Sequence, residues 1–330
     1  MDNRKMKAVW LENRVLRYRD DAPVPEPAGA EALVRVRLAG ICGTDLELAK
    51  GYYPFTGIPG HEFVGDIIHA SDRPAREGER VVGEINLSCG TCRFCMDNLP
   101  RHCENRAVAG ILNRNGSFAE YLCLPLANLI AVPTSVSDEA AVFVEPLAAA
   151  LEIQAQVNIE VRDRVLVLGA GCLGQLIART LALTGCDLVV AARHARQREL
   201  LDACRIARVD EKDIPARFFD VVVEATGSPE GFAAATRAVR PRGTVVIKST
   251  YRNHLPLNVS AIVVDEITLV GSRCGPFDSA LRLLQTGKVD PGELIEHTYP
   301  LGDVESAFGH ASRPGAMKIL LKISTEQLES

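Results

Sequence analysis

Val165-Leu166-Val167-Leu168-Gly169-Ala170-Gly171-Cys172-Leu173-Gly174 is the stretch on which the fold of this chain turns. A short apolar run, a glycine turn and apolar residues at helical spacing through Leu173–Leu183 predict strand, turn and helix in succession. In that setting G-x-G-x-x-G is a dinucleotide-binding pattern. Its glycines permit a tight turn and close backbone approach, and the helix N-terminus favours the negative charge of a pyrophosphate. Gly169, Gly171, Cys172, Leu173 and Gly174 are the candidate contacts.

Downstream, short apolar runs at Leu188–Ala192, Val221–Glu224, Thr244–Ile247 and Thr268–Val270 alternate with helical stretches. A parallel sheet covered on both faces requires that rhythm, so residues 148–289 are read as a doubly wound α/β domain. Upstream the rhythm differs: β-branched runs such as Leu33–Leu38 and Val64–Ile68 are separated by Gly and Pro, which marks residues 1–147 as β-rich. After Pro291 strand-like pieces return, Met317–Ile323 among them, and residues 290–330 are expected to rejoin the first domain. A chain of 330 residues, 47% hydrophobic and 24% charged, suits two cores.

The formal charge of −5 gives no broad basic field for a phosphate backbone, which argues against nucleic acid and for a small-molecule partner. The start MDNRKMKAVW lacks the apolar run of an export signal, and no uncharged stretch approaches the roughly 20 residues that cross a bilayer. A cytoplasmic, membrane-free protein is expected. Its ten cysteines then point to metal rather than to disulfides. Cys89, Cys92, Cys95 and Cys103 form C-x2-C-x2-C-x7-C, which folds four thiolates around one ion and leaves no open position: a structural zinc site.

A second metal site is assembled from dispersed pieces. Cys42 follows a strand in Ile41-Cys42-Gly43-Thr44-Asp45, His61 precedes one in Gly60-His61-Glu62-Phe63-Val64-Gly65, and Glu145 enters a helix in Val144-Glu145-Pro146-Leu147. Thiolate, imidazole and carboxylate would hold zinc with its fourth position open, the arrangement of a Lewis-acid catalyst.

In a dinucleotide site an Asp or Glu about 20 residues beyond the glycines binds the adenosine ribose. Here Arg193 stands at that place, followed by His194-Ala195-Arg196-Gln197-Arg198, with no carboxylate in the stretch. The reading favours NADP over NAD, with Arg193, His194 and Arg198 toward a 2′-phosphate. Thr226, in a loop after a strand end, is a further candidate contact.

The motifs GICGTD, GHEFVG, CGTCRFC with Cys103, VEPLAAAL, GAGCLG and EATG occur in one order from Met6 to about Ile323. In them the chain resembles the zinc-containing medium-chain alcohol dehydrogenases. That resemblance implies a GroES-like catalytic domain beside a Rossmann domain, and two zinc ions, one catalytic and one structural. It maps Cys42, His61 and Glu145 onto catalytic zinc ligands and Glu62 onto a carboxylate that binds the metal directly in some relatives. Thr44 maps onto the hydroxyl that takes the substrate proton, and Arg273 onto a residue near the nicotinamide. Arg198 also matches an arginine near the adenine of NAD-using relatives.

An acid at 145 resembles the polyol, threonine and sugar dehydrogenase branch, so a secondary alcohol, polyol or sugar is the implied substrate. Where many relatives carry a proton-relaying histidine, this chain has Glu47, which could relay if burial raised its pKa. The alternatives are an NADPH-dependent aldehyde or ketone reductase and, from another class, a catalytically silent zinc and dinucleotide sensor. A homodimer or homotetramer is expected, with the strand Thr268–Val270 at an edge contact and Ile262-Val263-Val264 nearby.

Overall fold

The computed structural model describes residues 4–251, 255 and 257–323, so the outermost parts of the expected catalytic domain, 1–3 and 324–330, lie outside the described residues. The chain divides into two compact units, residues 1–145 with 280–330 and residues 146–279.

The first unit is built on a seven-stranded sheet. Its main path runs Leu129–Ala131, Arg80–Gly83, Glu62–His69, Glu31–Ile41, Lys318–Lys322 and Ile295–Pro300, and Tyr121–Pro125 also pairs with Glu31–Ile41. Glu31–Ile41 is the hub, and its sequence EALVRVRLAGI is apolar enough to be buried along most of its length. Lys318–Lys322 pairs antiparallel with it, so the C-terminal strand does return to the β-rich unit. Val34, Val36, Phe63, Ile67, Leu124, Ile319 and Leu321 pack into one core, closed on another side by Phe118 against Phe308.

The second unit is a six-stranded parallel sheet in the order Ala207–Val209, Asp187–Ala191, Arg164–Leu168, Phe219–Glu224, Val239–Ile247 and Thr268–Gly271. Numbered along the chain this is 3-2-1-4-5-6, the doubly wound order of dinucleotide-binding domains. Val165–Leu168 is buried because helices need apolar cover on both faces of such a strand. The strand Ala207–Val209 was not anticipated: it is only three residues long and carries Arg208 at its centre, the kind of short charged strand that guards a sheet edge. The strand expected at Thr244–Ile247 already begins at Val239, with a register shift between Phe219 and Val221 on its neighbour. Among the described residues no helix is long and apolar enough to cross a membrane.

Candidate metal centres and dinucleotide site

The four-cysteine loop lies in the first unit and closes on itself. The sulfurs of Cys92 and Cys95 are 3.5 Å apart, those of Cys89 and Cys103 3.5 Å, and those of Cys92 and Cys103 3.9 Å. Four ligands at the ordinary zinc–sulfur distance on a tetrahedron stand roughly 3.8 Å from one another, so the set fits zinc. Backbone N–H groups do part of the work of holding thiolates: Cys92 N donates to Cys89 Sγ at 3.4 Å and Cys89 N to Cys103 Sγ at 3.3 Å. Hydrogen bonds from the Thr91 backbone and hydroxyl, then from the Cys92 backbone, bring the Cys89 thiol down to about 5. Desolvation and then the neighbouring Cys92 push Cys95 up to about 11.

The second centre is made by strand register. Gly40 pairs with Glu62 in one antiparallel ladder and Ile41 with Ile319 in the other, so the next residues along, Cys42, His61 and Lys318, converge at one end of the sheet. Glycine at 40 is a matter of space: a Cβ there would stand 2.5 Å from Glu62 Oε2 and 2.8 Å from Val142 Cγ1. The donor atoms of Cys42, His61 and Glu62 lie within 4.8 Å of one another. His61 and Glu62 are buried, and Cys42 is half-buried. His61 Nδ1 faces Asp45 Oδ1 at 3.3 Å, which leaves Nε2 for a metal. Both of these buried atoms lack an aligned hydrogen bond. Asp45 in turn accepts from Cys42 N at 2.8 Å and so holds the strand-to-helix turn as well. Burial alone would lower the His61 pKa, but Asp45 and then Cys42 outweigh it and hold the imidazole well above its ordinary value. Such a site favours a positive charge beside the ring, which a divalent cation supplies in place of a proton.

Glu62 is also bound from behind. Lys318 Nζ, on a side chain as buried as Glu62 itself, forms an ion pair with Glu62 Oε2 and donates to Ile41 O at 3.3 Å. Glu145 stands outside the group of three mutually close donors. It is half-buried, and desolvation pushes its carboxyl up to about 7 despite the pull of His61. The two clusters gather Cys89, Cys92, Cys95 and Cys103, and Cys42, His61 and Glu62, while Glu145 stays outside; Asp45 and Lys318 bind the ligand side chains from behind. Asp45 was legible in GICGTD as an acid beside the ligand cysteine; Lys318 was hidden in an otherwise apolar strand.

Thr44 Oγ1 accepts from the Cys42 thiol at 3.8 Å, which puts its hydroxyl at the centre. Glu47 is different: its Oε1 accepts from Lys50 Nζ at 2.8 Å, and its side chain is 38% exposed. The burial on which the relay expectation rested is absent.

In the second unit Gly169 turns at φ +95, a left-handed conformation that suits glycine. A Cβ at Gly174 would meet Gly169 O at 1.9 Å, whereas one at Gly171 would meet nothing within 4 Å, so the middle glycine leaves its approach open. Helix Cys172–Ala182 starts there, and its first internal bond is Gln175 N to Gly171 O at 2.9 Å. The N–H groups of Cys172, Leu173 and Gly174 precede that bond, as a pyrophosphate cradle requires. Buried Gln175 donates to Ala170 O at 3.4 Å and Gln197 O at 3.0 Å, tying this turn to the next helix.

Thr226 does lie in the loop beyond Phe219–Glu224, where fully buried Glu224 organises the turn. Glu224 Oε1 accepts from Thr226 N at 2.6 Å, Thr226 Oγ1 at 2.5 Å and Gly227 N at 3.2 Å, and Oε2 accepts from Tyr251 OH. Arg273 is exposed just past Thr268–Gly271.

The basic stretch is less basic than its sequence. Arg193 Nε and Nη2 donate to Glu211 Oε1 and Oε2 at 2.5 and 2.8 Å, and Arg198 Nη2 to Asp210 Oδ1 at 2.7 Å. The stretch itself holds no carboxylate, but two acids from the segment after Ala207–Val209 are brought alongside it by the sheet, which corrects the reading of these arginines as open to a 2′-phosphate. His194 has a structural duty, capping helix Ala195–Ala203 in a reciprocal box with Gln197.

Residues 28–134 match the alcohol dehydrogenase GroES-like domain family, and residues 128–323 match the glucose dehydrogenase C-terminus family. Over 91% of its length the chain is 30% identical to D-arabinitol dehydrogenase 1 of Uromyces fabae, covering 92% of that protein. It superposes on a zinc-binding dehydrogenase of Sinorhizobium meliloti 1021 bound to NADP with a TM-score of 0.88 at 29% identity, covering 97% and 99% of the two chains. An alcohol dehydrogenase of Escherichia coli CFT073 complexed with NADH gives a TM-score of 0.87 at 27% identity, with 97% and 99% covered.

Proposed function

This chain belongs to the zinc-dependent medium-chain alcohol dehydrogenase family, and from that premise we propose that it passes hydride between a secondary alcohol, polyol or sugar and NAD(P). The single observation that carries the reading is the gathering of Cys42, His61 and Glu62 donors within 4.8 Å at one sheet end, with Asp45 behind the imidazole. Cys42 and His61 would hold zinc, with Glu145 or Glu62 as the acidic ligand. Zinc bound there supplies Lewis acidity toward a substrate oxygen.

The remaining work falls to the chain's own groups. Asp45 fixes the His61 tautomer by facing Nδ1, and Lys318 pairs with the Glu62 carboxylate inside the core and so holds it in place. Thr44 Oγ1, beside Cys42, is placed to take the substrate hydroxyl proton in oxidation while passing its own proton on to solvent, and to run the same relay backwards in reduction. Gly169–Gly174 receives the pyrophosphate, Glu224 sets the Thr226 loop, and Arg193 and Arg198, each paired with an acid, stand at the edge that receives the adenosine ribose. The four cysteines at 89, 92, 95 and 103 hold a second, structural zinc.

Relatives with a polyol-dehydrogenase name support the polyhydroxylated substrate class. Among the described residues the cysteines form no disulfide, which suits metal-binding thiols. A homodimer is supported by Thr268–Gly271, the last strand of its sheet, and by Val263 and Val264, 68% and 79% exposed on the helix before it. Turnover across a panel of polyols, sugars and aldehydes with NADP and NAD tests the reading. Substrate-independent zinc and dinucleotide binding with no turnover on any of them would replace it by the sensor.

A further inference from the structure

We propose that Glu211 sets the choice between NADP and NAD, by supplying the carboxylate that the end of strand Asp187–Ala191 lacks and by occupying the guanidinium a 2′-phosphate needs. The proposal rests on the reading that Gly169–Gly174 receives a nicotinamide dinucleotide.

The placement follows from the sheet. Ala191 pairs with Val209 in adjacent parallel strands. Arg193 and Glu211 each lie two residues beyond that pair, so the sheet delivers them side by side at its carboxyl edge, where a doubly wound domain receives its ligand. The contact is two-pronged: Arg193 Nε to Glu211 Oε1 at 2.5 Å and Nη2 to Oε2 at 2.8 Å. Behind it Arg198 is engaged twice, by Asp210 Oδ1 at 2.7 Å and by Ala192 O at 3.0 Å. Arg196 faces Glu199 at 3.5 Å. Each arginine of the stretch therefore has a carboxylate of its own.

The two cofactors differ at this edge by one group. A 2′-phosphate is a dianion seeking a planar, two-pronged donor, and it finds Arg193 already matched to an acid of like geometry. It must displace Glu211 and then lie beside the displaced negative charge. A 2′-hydroxyl needs only an acceptor, and the Glu211 carboxylate can accept while keeping Arg193. Glu211 thus holds NAD affinity up and NADP affinity down, although it falls well beyond the sequence position where such an acid is sought.

The test uses the full, zinc-loaded chain and calorimetric titration at fixed ionic strength, with adenosine 2′,5′-bisphosphate and adenosine 5′-monophosphate as probes beside NADP and NAD. An exposed ion pair is worth up to about fivefold in an equilibrium constant. Glu211→Gln should then tighten the bisphosphate and NADP by up to about fivefold, and leave the monophosphate and NAD unchanged or weaker. In an Arg193→Gln background the same change should lose most of its effect.

An unchanged affinity ratio in Glu211→Gln, or a shift toward NAD, overturns the proposal alone, since binding of the probes still upholds the dinucleotide site. Equal tightening with and without Arg193 also overturns it, by reducing Glu211 to general charge. Failure of every probe to bind wild type and variant overturns both the proposal and the cofactor reading beneath it.

Discussion

Cys89, Cys92, Cys95 and Cys103 come from one loop, bring four donors of one kind, and rely on their own backbone N–H groups to settle the charge. Cys42, His61 and Glu62 come from the ends of adjacent strands, bring three kinds of donor, and rely on Asp45 from the turn after Cys42 and on Lys318 from the strand Lys318–Lys322. Four thiolates complete a tetrahedron and exclude a further ligand; a mixed, incomplete set admits one. The local loop can be exposed because nothing reacts there. The mixed site is buried because each charge beside the metal acts more strongly in low dielectric.

Substitution of one cysteine in each cluster gives the largest and most discriminating effects. Cys42→Ser is expected to lower kcat by at least about 100-fold while circular dichroism and thermal midpoint stay close to wild type, since even groups behind a metal ligand are worth 10–100-fold. Cys95→Ser should do the reverse: the loop's zinc is lost on metal analysis and protease cuts between Cys89 and Cys103, while folded protein keeps turning over. The same loss of zinc and the same retained turnover in both variants would abolish the distinction between the clusters.

The next effect tests dependence on the surrounding fold. Lys318→Met leaves the Glu62 carboxylate buried without its cation, a change that costs about 3–5 kcal/mol for a broken buried pair. Chemical denaturation should read that loss, and Lys318→Arg should recover much of it. A stability change within error for Lys318→Met would mean that Glu62 is balanced by another group.

Asp45→Asn is expected to act more mildly, weakening metal affinity at the Cys42 site about 10–100-fold by removing the acid that orients His61. Competition with a chromogenic chelator measures it. Release from the four-cysteine loop should be unchanged, and parallel weakening at both sites would show that Asp45 serves only the fold.

These differences also explain what could be read in advance. The cysteine loop was legible because ligand spacing there is sequence spacing. The parallel sheet was legible because Val165–Gly174 packs strand, turn and helix into ten letters. Cys42, His61 and Glu145 became a set mainly through the resemblance to a family, since nothing local says that Gly40 pairs with Glu62. Lys318 lies in an otherwise apolar strand and carries no local sign of its partner, and Glu211 lies just past a three-residue strand that periodicity cannot find. Residues whose partners arrive through register were the ones missed.

Glu47 gives the smallest expected effect and the finest test of what belongs to the mixed site. A relay group must exchange its proton near working pH, which for a glutamate requires burial or a neighbouring negative charge. Glu47 has neither recommendation: its carboxylate accepts from Lys50 at 2.8 Å on the same helix turn, and 38% of the side chain is exposed. Such an i,i+3 surface pair contributes about 0.2–0.5 kcal/mol. Glu47→Gln removes the charge and keeps the shape, so kcat/KM should change by less than about twofold, an amount that matches the loss of such a pair. The pH profile should keep both limbs, because Thr44 rather than Glu47 stands beside Cys42. A fall of tenfold or more together with a lost limb, restored by small exogenous carboxylates, would instead put Glu47 in the proton path and extend the catalytic centre along the helix Gly43–Ala49.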